Sequence, residues 1–438
     1  MKTEEAINYR TTSGTEVKTP ATEAVLSPAT ARPQPVFTEE VPLVAAPRML
    51  SLDVFRGITI AGMVLVNNPG PSGAVYSQLD HAEWHGWTPT DFIFPFFVFI
   101  SGISITLALS KRVAAGGPQG DLYGKIIKRS LLIYAFGFLL ASFPFFKPDL
   151  VDLSGGFTSD VGSILHSSRE LFANVRLSGV LQRIAVCYLV SALIFIKTTW
   201  RTQALIAIGL CLAYWALLTL IPVPGYGAGD LSREGNLPAY LDRLILGNHI
   251  WKGGGKVYDP EGILSTLPAI ATMLTGVLTG HWLRTRRTDW EKIAGLFIVG
   301  AACVGVGWVW QWWLPYNKAL WTGSYVFFMT GLGLQTLALL YWLIDVAGYR
   351  AWAKPWEIFG VNALALFVGS GLLARSMMLW KIPRANGKPG NLITYLYDHL
   401  FAPWNTPPNG AFLYALCFLI LWLGLMTILY RKKIYLKV

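Results

Sequence analysis

The sequence predicts an all-α, polytopic membrane protein: a bundle of about ten transmembrane helices with both termini in the cytoplasm. The first observation is composition, because 53% of the 438 residues are hydrophobic and only 14% are charged, whereas soluble domains carry about 25% charged residues. The second is a series of apolar runs long enough to cross about 30 Å of hydrocarbon. The third is the alternation of basic and non-basic short loops between these runs, which follows the positive-inside rule.

The first 47 residues differ in composition from the rest of the chain. They are rich in Thr, Ala, Pro and Glu and lack a hydrophobic period, so they cannot bury enough apolar surface to offset the entropy of ordering the chain. We therefore predict a disordered cytoplasmic tail over 1–47 and a membrane domain over 48–438. We expect no cleavable signal peptide, because the first long apolar run begins after Ser51 and no short basic region precedes it.

Apolar runs then follow one another to the C-terminus. The first is short and carries Asp53 and Arg56, and the ninth ends near Arg375 and is a candidate for a broken helix. The predicted spans are 53–69, 90–110, 125–146, 177–197, 202–221, 263–283, 291–314, 322–345, 352–374 and 410–430.

The short loops give the predicted orientation. The loop over about 70–89 contains neither Lys nor Arg, so we place it outside. An even number of spans then returns the basic C-terminal tail to the cytoplasm. The net charge of +11 is thereby explained by loop anchors, and we expect no nucleic-acid partner. The basic residues predicted to be cytoplasmic are Lys111, Arg112, Lys125, Lys128, Arg129, Lys197, Arg201, Arg284, Arg286, Arg287, Lys292, Arg350, Lys354, Arg431, Lys432, Lys433 and Lys437.

The cysteines give no sign of a disulfide or a metal site. Neither a CxxC pair nor a Cys/His spacing is present, and each cysteine lies in an apolar run, so we interpret all of them as small buried apolar residues. We expect no bound metal. The cysteines are Cys187, Cys211, Cys303 and Cys417.

Charged and amide side chains inside the predicted spans are the first candidates for function. A charge at mid-bilayer costs about 2.5–3.5 kcal/mol on insertion scales, so it persists when it is paired or lines a cavity. Asp53 and Arg56 share one helix face at the cytoplasmic end of the first span. Arg56 either pairs with Asp53 or grips a phosphate in bidentate fashion. Arg183 and Asn362 either tie helices together or line a site.

A second group lies at the outside end of the first span and in the loop that follows. Asn67 ends that span, and the Thr-Pro-Thr before Asp91 can cap the next helix, whose dipole also suits the Asp91 carboxylate. Capping does not explain His81 and Trp84, which stand close together in the same loop. Because His is a natural general base near neutral pH, His81 is either an ordinary loop residue or a catalytic one.

Two further outside segments carry polar residues. Asp259 and Glu261 open the sixth span, where they either cap the helix or receive a cationic substrate. Asn317 and Lys318 lie in the tight turn before the eighth span. Taken together, the polar groups lie at both ends of the bundle and at mid-depth, which is the arrangement that a site crossing the membrane requires.

Three outside segments are long and Gly/Pro-rich, about 147–176, 222–262 and 375–409. Long ordered loops on one face often build a binding site. We find no internal repeat, and this counts against a transporter, because many transporter folds are built from repeats.

These motifs, in this order from about residue 49 to 438, resemble the heparan-α-glucosaminide N-acetyltransferase family of transmembrane acyltransferases, and in particular its bacterial NagX-type members. The segments that carry the resemblance are LDVFRG, VLVNNPG, HAEWHGWTPTDFIFPFFVFISG, GVLQRIAV, YDPEGILST, PYNKALWTGSYV, GVNAL and YRKKIYLKV.

The resemblance implies a transmembrane acyltransferase domain over 48–438 in a bacterial inner membrane, with acetyl-CoA as the co-substrate. It implies transfer of acetyl to the amine of a glucosamine on the far side. The catalytic residues would be His81, Asn67 and Asp91. From the residues and the resemblance together, we predict that the cofactor is bound by Arg56, Arg183, Asn362, Ser324 and Tyr325. The substrate-binding residues would be Glu261, Asp259, Trp84, Asn317 and Lys318.

The chain departs from the lysosomal member at Ser370, where that enzyme has a His. This position is expected to shape acceptor choice, so we expect a small amino sugar or a cell-wall fragment rather than heparan. The partners expected are acetyl-CoA, the amino sugar and the lipid bilayer, with a homodimer left open. His81 would act as a general base for direct attack by the amine, or as a nucleophile that forms an acetyl-imidazole.

Two other classes of function remain open from the residues alone. An amino-sugar permease would use Arg183 and Asn362 to line a transport path, although the basic cytoplasmic mouth and the lack of repeats argue against it. A structural membrane scaffold would explain neither the cluster around His81 nor the polar residues at depth.

Overall fold

The chain folds into helices joined by loops. The computed structural model describes residues 49–436 apart from 72, 74, 116–118, 151–156 and 385–387, and the described part contains helices and two isolated β-bridges. The described residues belong to one compact unit. The predicted tail over 1–47 lies outside the described residues.

The α-helices of the described residues are numbered in chain order. They are α1 Leu50–Asn67, α2 Ile93–Ala114, α3 Gln119–Ser142, α4 Phe157–Phe172, α5 Val180–Lys197, α6 Trp200–Leu220, α7 Leu237–Leu246, α8 Thr266–Leu283, α9 Asp289–Trp310, α10 Gly323–Leu340, α11 Lys354–Val361, α12 Ala363–Leu379, α13 Leu392–Leu400 and α14 Pro407–Arg431.

Every predicted span coincides with a helix, and the protein is a multi-pass membrane protein. Among the described residues, seven helices are long and apolar enough to cross a membrane: α1, α2, α5, α6, α9, α10 and α14. The ninth predicted span is broken, since α11 and α12 meet at 71° and together make an eighth candidate. The spans predicted at 125–146 and 263–283 form α3 and α8, which fall outside that set. The count of ten and the orientation stay predictions.

Helix α1 defines the two ends of the bundle. Its 18 residues are about 27 Å long at 1.5 Å per residue, with Arg56 near the start and Asn67 at the finish. We call these the Arg56 end and the His81 end. At the start of α1, the Asp345 carboxylate accepts hydrogen bonds from the backbone N–H groups of Leu50 (3.3 Å) and Ser51 (3.1 Å), which satisfies donors that a helix leaves open.

Exposed tryptophans mark both ends of the peripheral helix α9. Trp290 and Trp308 are 64% and 53% exposed, and their 18-position separation corresponds to about 27 Å of helix. That distance is close to the thickness of a bilayer's hydrocarbon core, about 30 Å. Because Trp favours the membrane–water interface, we infer that α9 faces lipid and crosses it between these two rings.

Close glycine contacts hold the central helices together. A Cβ atom at Gly276 of α8 would lie 2.0 Å from the carbonyl oxygen of Phe99 in α2, and one at Gly102 would lie 2.0 Å from that of Met273. The same relation joins α1 to α11, where a Cβ at Gly360 would lie 1.9 Å from the carbonyl oxygen of Asp53. Small residues allow such backbone-to-backbone packing, which drives helix association where water cannot.

Each of the three long segments that join spans at the His81 end contains a helix. The sequence predicted these segments only as Gly/Pro-rich connections, but α4, α7 and α13 form within them. Their caps were readable in the sequence: the Asn236 side chain accepts a hydrogen bond from the N–H of Ala239 (2.8 Å) at the start of α7, and Asn391 and Thr394 form a capping box on α13.

Candidate active site

The loop between α1 and α2 ends in a short 3₁₀ turn, Pro89–Phe92, that leads directly into α2. Asp91 caps this turn, because its Oδ2 accepts hydrogen bonds from the backbone N–H groups of Thr88 (3.0 Å) and Ala82 (3.1 Å). The Asp91 side chain is only 1% exposed. A local cap therefore places a carboxylate beneath the surface of the loop, with Oδ1 directed away from the two N–H groups that bind Oδ2.

His81 lies against this buried carboxylate. Its Nδ1 is 2.7 Å from Asp91 Oδ1, and its side chain is 50% exposed. When the carboxylate accepts the proton on Nδ1, the lone pair of the imidazole remains on Nε2. A buried acid that fixes the tautomer and orientation of an accessible His is the arrangement by which proteins prepare a base or nucleophile.

Lys318 completes the cluster from the turn before α10. Its Nζ lies 3.2 Å from Asp91 Oδ1 and 3.0 and 3.3 Å from the Nδ1 and Nε2 atoms of His81. Burial lowers the pKa of Lys318, and the negative charges of Asp91 and Glu261 oppose that effect. The residue predicted to bind substrate is therefore in contact with both predicted catalytic side chains.

The turn that carries Lys318 is rigidly held. Asn317 is fully buried, and its Oδ1 accepts a hydrogen bond from the N–H of Leu320 (2.8 Å) while its own N–H donates to Thr322 Oγ1 (3.2 Å). Its amide nitrogen also lies 3.4 Å from His85 Nδ1, and burial lowers the pKa of His85. Asn317 thus supports Lys318 from within the turn.

Ser324 and Tyr325 lie at the His81 end, whereas the nucleotide was expected at the Arg56 end. Tyr325 Oη donates a hydrogen bond to the carbonyl oxygen of Asp91 (2.6 Å), and Ser324 Oγ donates to that of Leu314 (2.5 Å). Both side chains are fully buried. In this structure they hold the backbone of the His81 site in place.

Asp259 and Glu261 share one partner, Arg176, that the sequence analysis did not single out. Arg176 Nε donates to Asp259 Oδ2 (3.0 Å), and its Nη2 contacts both carboxylates. Burial by itself raises the pKa of Asp259, but the hydrogen bonds from Arg176 and Ser178 outweigh it and hold that pKa below its usual value. Arg176 lies in a segment read as an irregular loop, so periodicity gave no signal for it.

Arg183 lies in the first turn of α5, beside the acidic segment rather than beside Arg56. Its Nη2 donates to the carbonyl oxygen of Gly262 (3.2 Å) and also contacts Ser265, and its guanidinium lies 5.2 Å from the ring centre of Trp321. It is 2% exposed, and its Nε and Nη1 atoms have no hydrogen-bond partner among the described residues. Arg183 therefore belongs to the His81 end of the bundle.

Asp242, in α7, is a further buried acid that the sequence analysis missed. Its Oδ1 accepts a hydrogen bond from the N–H of Ile263 (2.9 Å), while no described residue contacts its Oδ2 with a hydrogen bond. Burial raises the pKa of Asp242 to about 7. The signal was a lone carboxylate in the apolar run LPAYLDRLIL, which becomes meaningful only once that run is recognised as a helix.

Aromatic rings line the side of the loop next to the acids. The ring centres of Trp84 and Tyr258 are 5.0 Å apart, and those of Trp251 and Tyr258 are 5.7 Å apart. Trp84 Nε1 donates to the carbonyl oxygen of Leu231 (2.8 Å), and the Arg233 guanidinium lies over the Trp84 ring. Trp84 is therefore fixed as one wall of an aromatic cluster that touches the acidic segment through Tyr258.

Asn67 lies at the end of α1 with an exposed side chain. No described residue makes a hydrogen bond to its amide, so none joins it to His81. The structure therefore places Asn67 at the His81 end but leaves it apart from the cluster of His81, Asp91 and Lys318.

At the Arg56 end, the predicted ion pair forms. Arg56 Nη1 lies 3.1 Å from Asp53 Oδ1, and Arg56 Nη2 donates to Ser104 Oγ of α2 at 2.9 Å. The Arg56 side chain is 24% exposed. The guanidinium therefore bridges α1 and α2 and still reaches the surface at this end.

Asn362 forms the break between α11 and α12 and binds the end of the described chain. Its Nδ2 donates to the carbonyl oxygen of Ile434 (3.0 Å), and its Oδ1 accepts from the N–H of Leu436 (3.0 Å). The chain reverses after α14 at Lys433, whose φ is 55°, and Ile434 N–H donates back to the Leu429 carbonyl oxygen (2.9 Å). Both halves of the Asn362 amide are thus occupied by the C-terminal segment.

A small apolar pocket of about 10 Å³ lies at mid-bundle between α1, α2, α5 and α12. Two of its lining residues are sequence neighbours of predicted site residues: Ile184 follows Arg183, and Leu364 lies two positions after Asn362. Its lining residues are Ile60, Met63, Phe97, Val180, Leu181, Ile184, Leu364 and Phe367.

Comparison with known proteins agrees with the resemblance read from the motifs. The heparan-alpha-glucosaminide N-acetyltransferase catalytic family matches residues 48–307, more than half of the 438 residues. The chain belongs to this family. Heparan-alpha-glucosaminide N-acetyltransferase of Homo sapiens is 30% identical over 449 residues, which cover 90% of this chain and 60% of the human protein. The protein of the same name from Mus musculus is 28% identical over 448 residues, covering 90% and 61%.

The chain therefore spans about 60% of the length of these curated relatives. The family match includes His81, Asp91 and Glu261, whereas Lys318 and Asn362 lie beyond residue 307. In this member of the heparan-alpha-glucosaminide N-acetyltransferase family, Lys318 contacts His81 and Asp91 although more than 200 residues separate them in the sequence. It gathers the acids, the aromatic cluster and Arg183 at the same end, and keeps Arg56 and Asn362 toward the other.

The described residues of this family member contain no group of three His, Cys, Asp or Glu side chains arranged to hold a metal ion. The ionisable groups that the structure brings together at the His81 end are an oriented imidazole, a buried carboxylate and an ammonium. These groups can accept and return a proton, and the imidazole can also attack an acyl group.

Proposed function

We propose that this protein is a transmembrane N-acetyltransferase. It moves acetyl from cytosolic acetyl-CoA to the amine of glucosamine, or of a glucosamine-containing sugar, on the periplasmic side of a bacterial inner membrane. The observation that carries the proposal is the half-exposed His81 imidazole, held at 2.7 Å by the buried Asp91 carboxylate in a chain of this family. Neither an open permease path nor a structural scaffold requires that pair.

The reaction needs a group that removes a proton from the acceptor. A glucosamine amine attacks only in its neutral form. As the new C–N bond forms and the thioester C–S bond breaks, the nitrogen loses a proton to His81 Nε2, which passes it to the departing thiolate. In the two-step version His81 first takes the acetyl group and the amine then removes it. Asp91 serves either version, because it fixes the ring and stabilises the imidazolium.

The acceptor site lies beside His81 in the proposal. The aromatic cluster of Trp84, Trp251 and Tyr258 offers flat apolar surfaces for the C–H face of a sugar ring. The negative charge of Glu261 is close enough to oppose the lowering of the Lys318 pKa by burial. The same carboxylate can therefore attract an ammonium group that approaches His81. An amino sugar carries both features, an apolar ring face and a positive charge.

The donor enters from the Arg56 end. The nucleotide of acetyl-CoA is a polyanion that cannot enter hydrocarbon, and Arg56 presents a guanidinium at that surface that is suited to phosphate. The mid-bundle pocket is lined by apolar side chains only, which suits the uncharged pantetheine arm. Arg183, with two buried donors that lack a partner among the described residues, is available to a thioester carbonyl that arrives from this pocket.

Purified protein incubated with labelled acetyl-CoA and a panel of amino sugars tests the proposal. We expect label in the sugar with wild-type protein, none with His81→Ala, and wild-type turnover with His399→Ala. His399 is a matched control because its Nδ1 bonds only to the Tyr395 carbonyl of its own helix. If His81→Ala keeps wild-type turnover, the assignment of His81 is wrong. Substrate counterflow in liposomes without CoA, and no acetylated product, would instead indicate a permease.

A further inference from the structure

We propose that Lys318 is a positioning residue for the acetyl transfer: its ammonium, held between Asp91 and His81, keeps the imidazole uncharged and ready to take a proton from the acceptor amine. This inference rests on the proposed function. It changes the role expected for Lys318, which we predicted from the sequence to bind substrate.

The contacts of Lys318 point to the catalytic cluster. Its Nζ is 3.2 Å from Asp91 Oδ1 and 3.0 Å from His81 Nδ1, and its side chain is only 22% exposed. An ammonium has three donors; one points to Asp91, and the His81 ring covers a second side of the group. Little of the group is left for a sugar hydroxyl, so direct substrate binding explains this geometry poorly.

Several hydrogen bonds join the Lys318 turn to the His81 loop. Gly86 N–H donates to the Tyr316 carbonyl oxygen (2.8 Å), and the Asn317 amide nitrogen lies 3.4 Å from His85 Nδ1. Tyr325, in the helix that follows the turn, donates to the Asp91 carbonyl oxygen. Three links thus join the two segments around the ion cluster, and they fix the position of Lys318 independently of any ligand.

The negative charge of Asp91 explains why a cation is needed beside His81. Asp91 alone would stabilise a protonated His81, and an imidazolium cannot accept a further proton. Lys318 offsets that carboxylate while leaving its hydrogen bond to Nδ1 intact. The neighbouring elements also carry charged or titratable groups, and among them Glu261 acts on Lys318. These groups are Asp80, Glu83 and His85 in the same loop, Tyr316 in the Lys318 turn, Arg233 before α7, Glu261 before α8 and Tyr325 in α10.

The same cation assists the second half of the proton transfer. Once His81 has taken the proton from the amine, an imidazolium and an ammonium lie side by side. Their repulsion favours passing that proton to the thiolate released by C–S cleavage, which regenerates the neutral imidazole. Each turnover then moves one proton from nitrogen to sulfur, and Lys318 itself gains and loses none.

Lys318→Met and Lys318→Arg form the decisive pair, because Met has similar length without charge and Arg keeps the charge. For Lys318→Met we expect kcat to fall by about 100-fold or more, the scale of lost acid–base catalysis, with the KM for the amino sugar near wild type. We also expect the acid limb of its kcat/KM profile to move to higher pH, since removal of the ammonium favours the imidazolium. Lys318→Arg should retain the wild-type acid limb and much of kcat.

Chemical rescue separates this role from a structural one. Lys318→Cys, purified in folded form, is treated with 2-bromoethylamine to restore an ammonium at the end of the side chain. We expect activity to return in this variant and to stay constant in treated wild-type protein, which controls for Cys417, the exposed cysteine of the described residues. Absence of rescue in folded, modified protein would contradict the proposal.

Two other results would overturn it. If Lys318→Met raises only the KM for the amino sugar, Lys318 binds substrate. If its kcat and pH profile match wild type, the ammonium plays no part. Failure of the proposed function is distinct from both, because wild-type protein would then acetylate none of the amino sugars tested.

Discussion

Replacement of Asp91 by Asn removes one charge from the centre of the candidate site and changes almost no volume. Oδ2 accepts from the backbone N–H groups of Ala82 and Thr88, and Oδ1 faces His81 and Lys318. Both oxygens therefore face donors. An amide offers one acceptor and one donor, so neither of its two orientations satisfies all of these neighbours.

Each orientation has a definite cost. If the amide nitrogen takes the place of Oδ2, two backbone N–H groups lose their acceptor, at about 1–3 kcal/mol each, or about 2–6 kcal/mol of unfolding free energy in total. If it takes the place of Oδ1, it donates to His81 Nδ1 and forces the other tautomer, in which Nε2 carries the proton and cannot act as a base. Lys318 then also loses its carboxylate partner.

We therefore expect Asp91→Asn to lower both the melting temperature in detergent and the turnover, the latter by about 10²–10⁴-fold. Asp149→Asn is the control, because the Asp149 side chain is 87% exposed and its loss should change neither quantity. Thermal unfolding and acetyl transfer are measured on the same preparations. An Asp91→Asn protein with wild-type melting temperature and turnover would refute the reasoning about both the cap and the imidazole.

Two further predictions concern stability. Gly276→Ala should lower the melting temperature, because its Cβ would lie 2.0 Å from the Phe99 carbonyl oxygen. Gly305→Ala in α9 is the control and should leave the melting temperature unchanged, because nothing lies within 4 Å of its Cβ position. Equal melting temperatures for the two variants would contradict the contact between α8 and α2. The pKa of Asp242 is about 7 in the folded protein and 3.8 for an exposed carboxyl. Between these pH values the folded state binds more protons than the unfolded state, so the free energy of unfolding falls as the pH rises through this range. The melting temperature of Asp242→Asn relative to wild type should therefore rise from about pH 4 to about pH 7 and stay level above; no pH dependence would contradict the buried, raised pKa.

The membrane helices were accessible to sequence reasoning because lipid imposes a single length and polarity on each span. The bend at Asn362 was foreseeable only as a break in the ninth span, since its angle depends on α1 packing against Gly360. Helices α4, α7 and α13 were missed for a different reason. Helices α7 and α13 are short, at 10 and 9 residues, and the 16 residues of α4 are only weakly apolar, so none of the three forms a long apolar run in the sequence.

The sequence identified His81, Asp91 and Lys318 as candidate site residues, but it did not predict that they form one cluster. His81 and Asp91 are ten positions apart in one loop, and the cap at Thr88 relates them locally. Lys318 reaches them from a turn that is distant in sequence, and its distance from His81 depends on how α2 and α10 pack. Arg176 had no local signal at all, because an arginine in a long loop looks the same whether it is solvated or holds two carboxylates.

The clamp at Asn362 has a consequence for variation in the C-terminal segment. The hydrogen bonds that Asn362 makes there are to main-chain atoms, the carbonyl oxygen of Ile434 and the N–H of Leu436, so they do not depend on the identity of the side chains at these positions. Proline at position 436 is the exception, because it has no N–H to donate. The hydrogen bonds of this segment to Asn362 are therefore set by its backbone: proline at position 436 would remove one of the two, while other residue types keep both N–H and carbonyl groups.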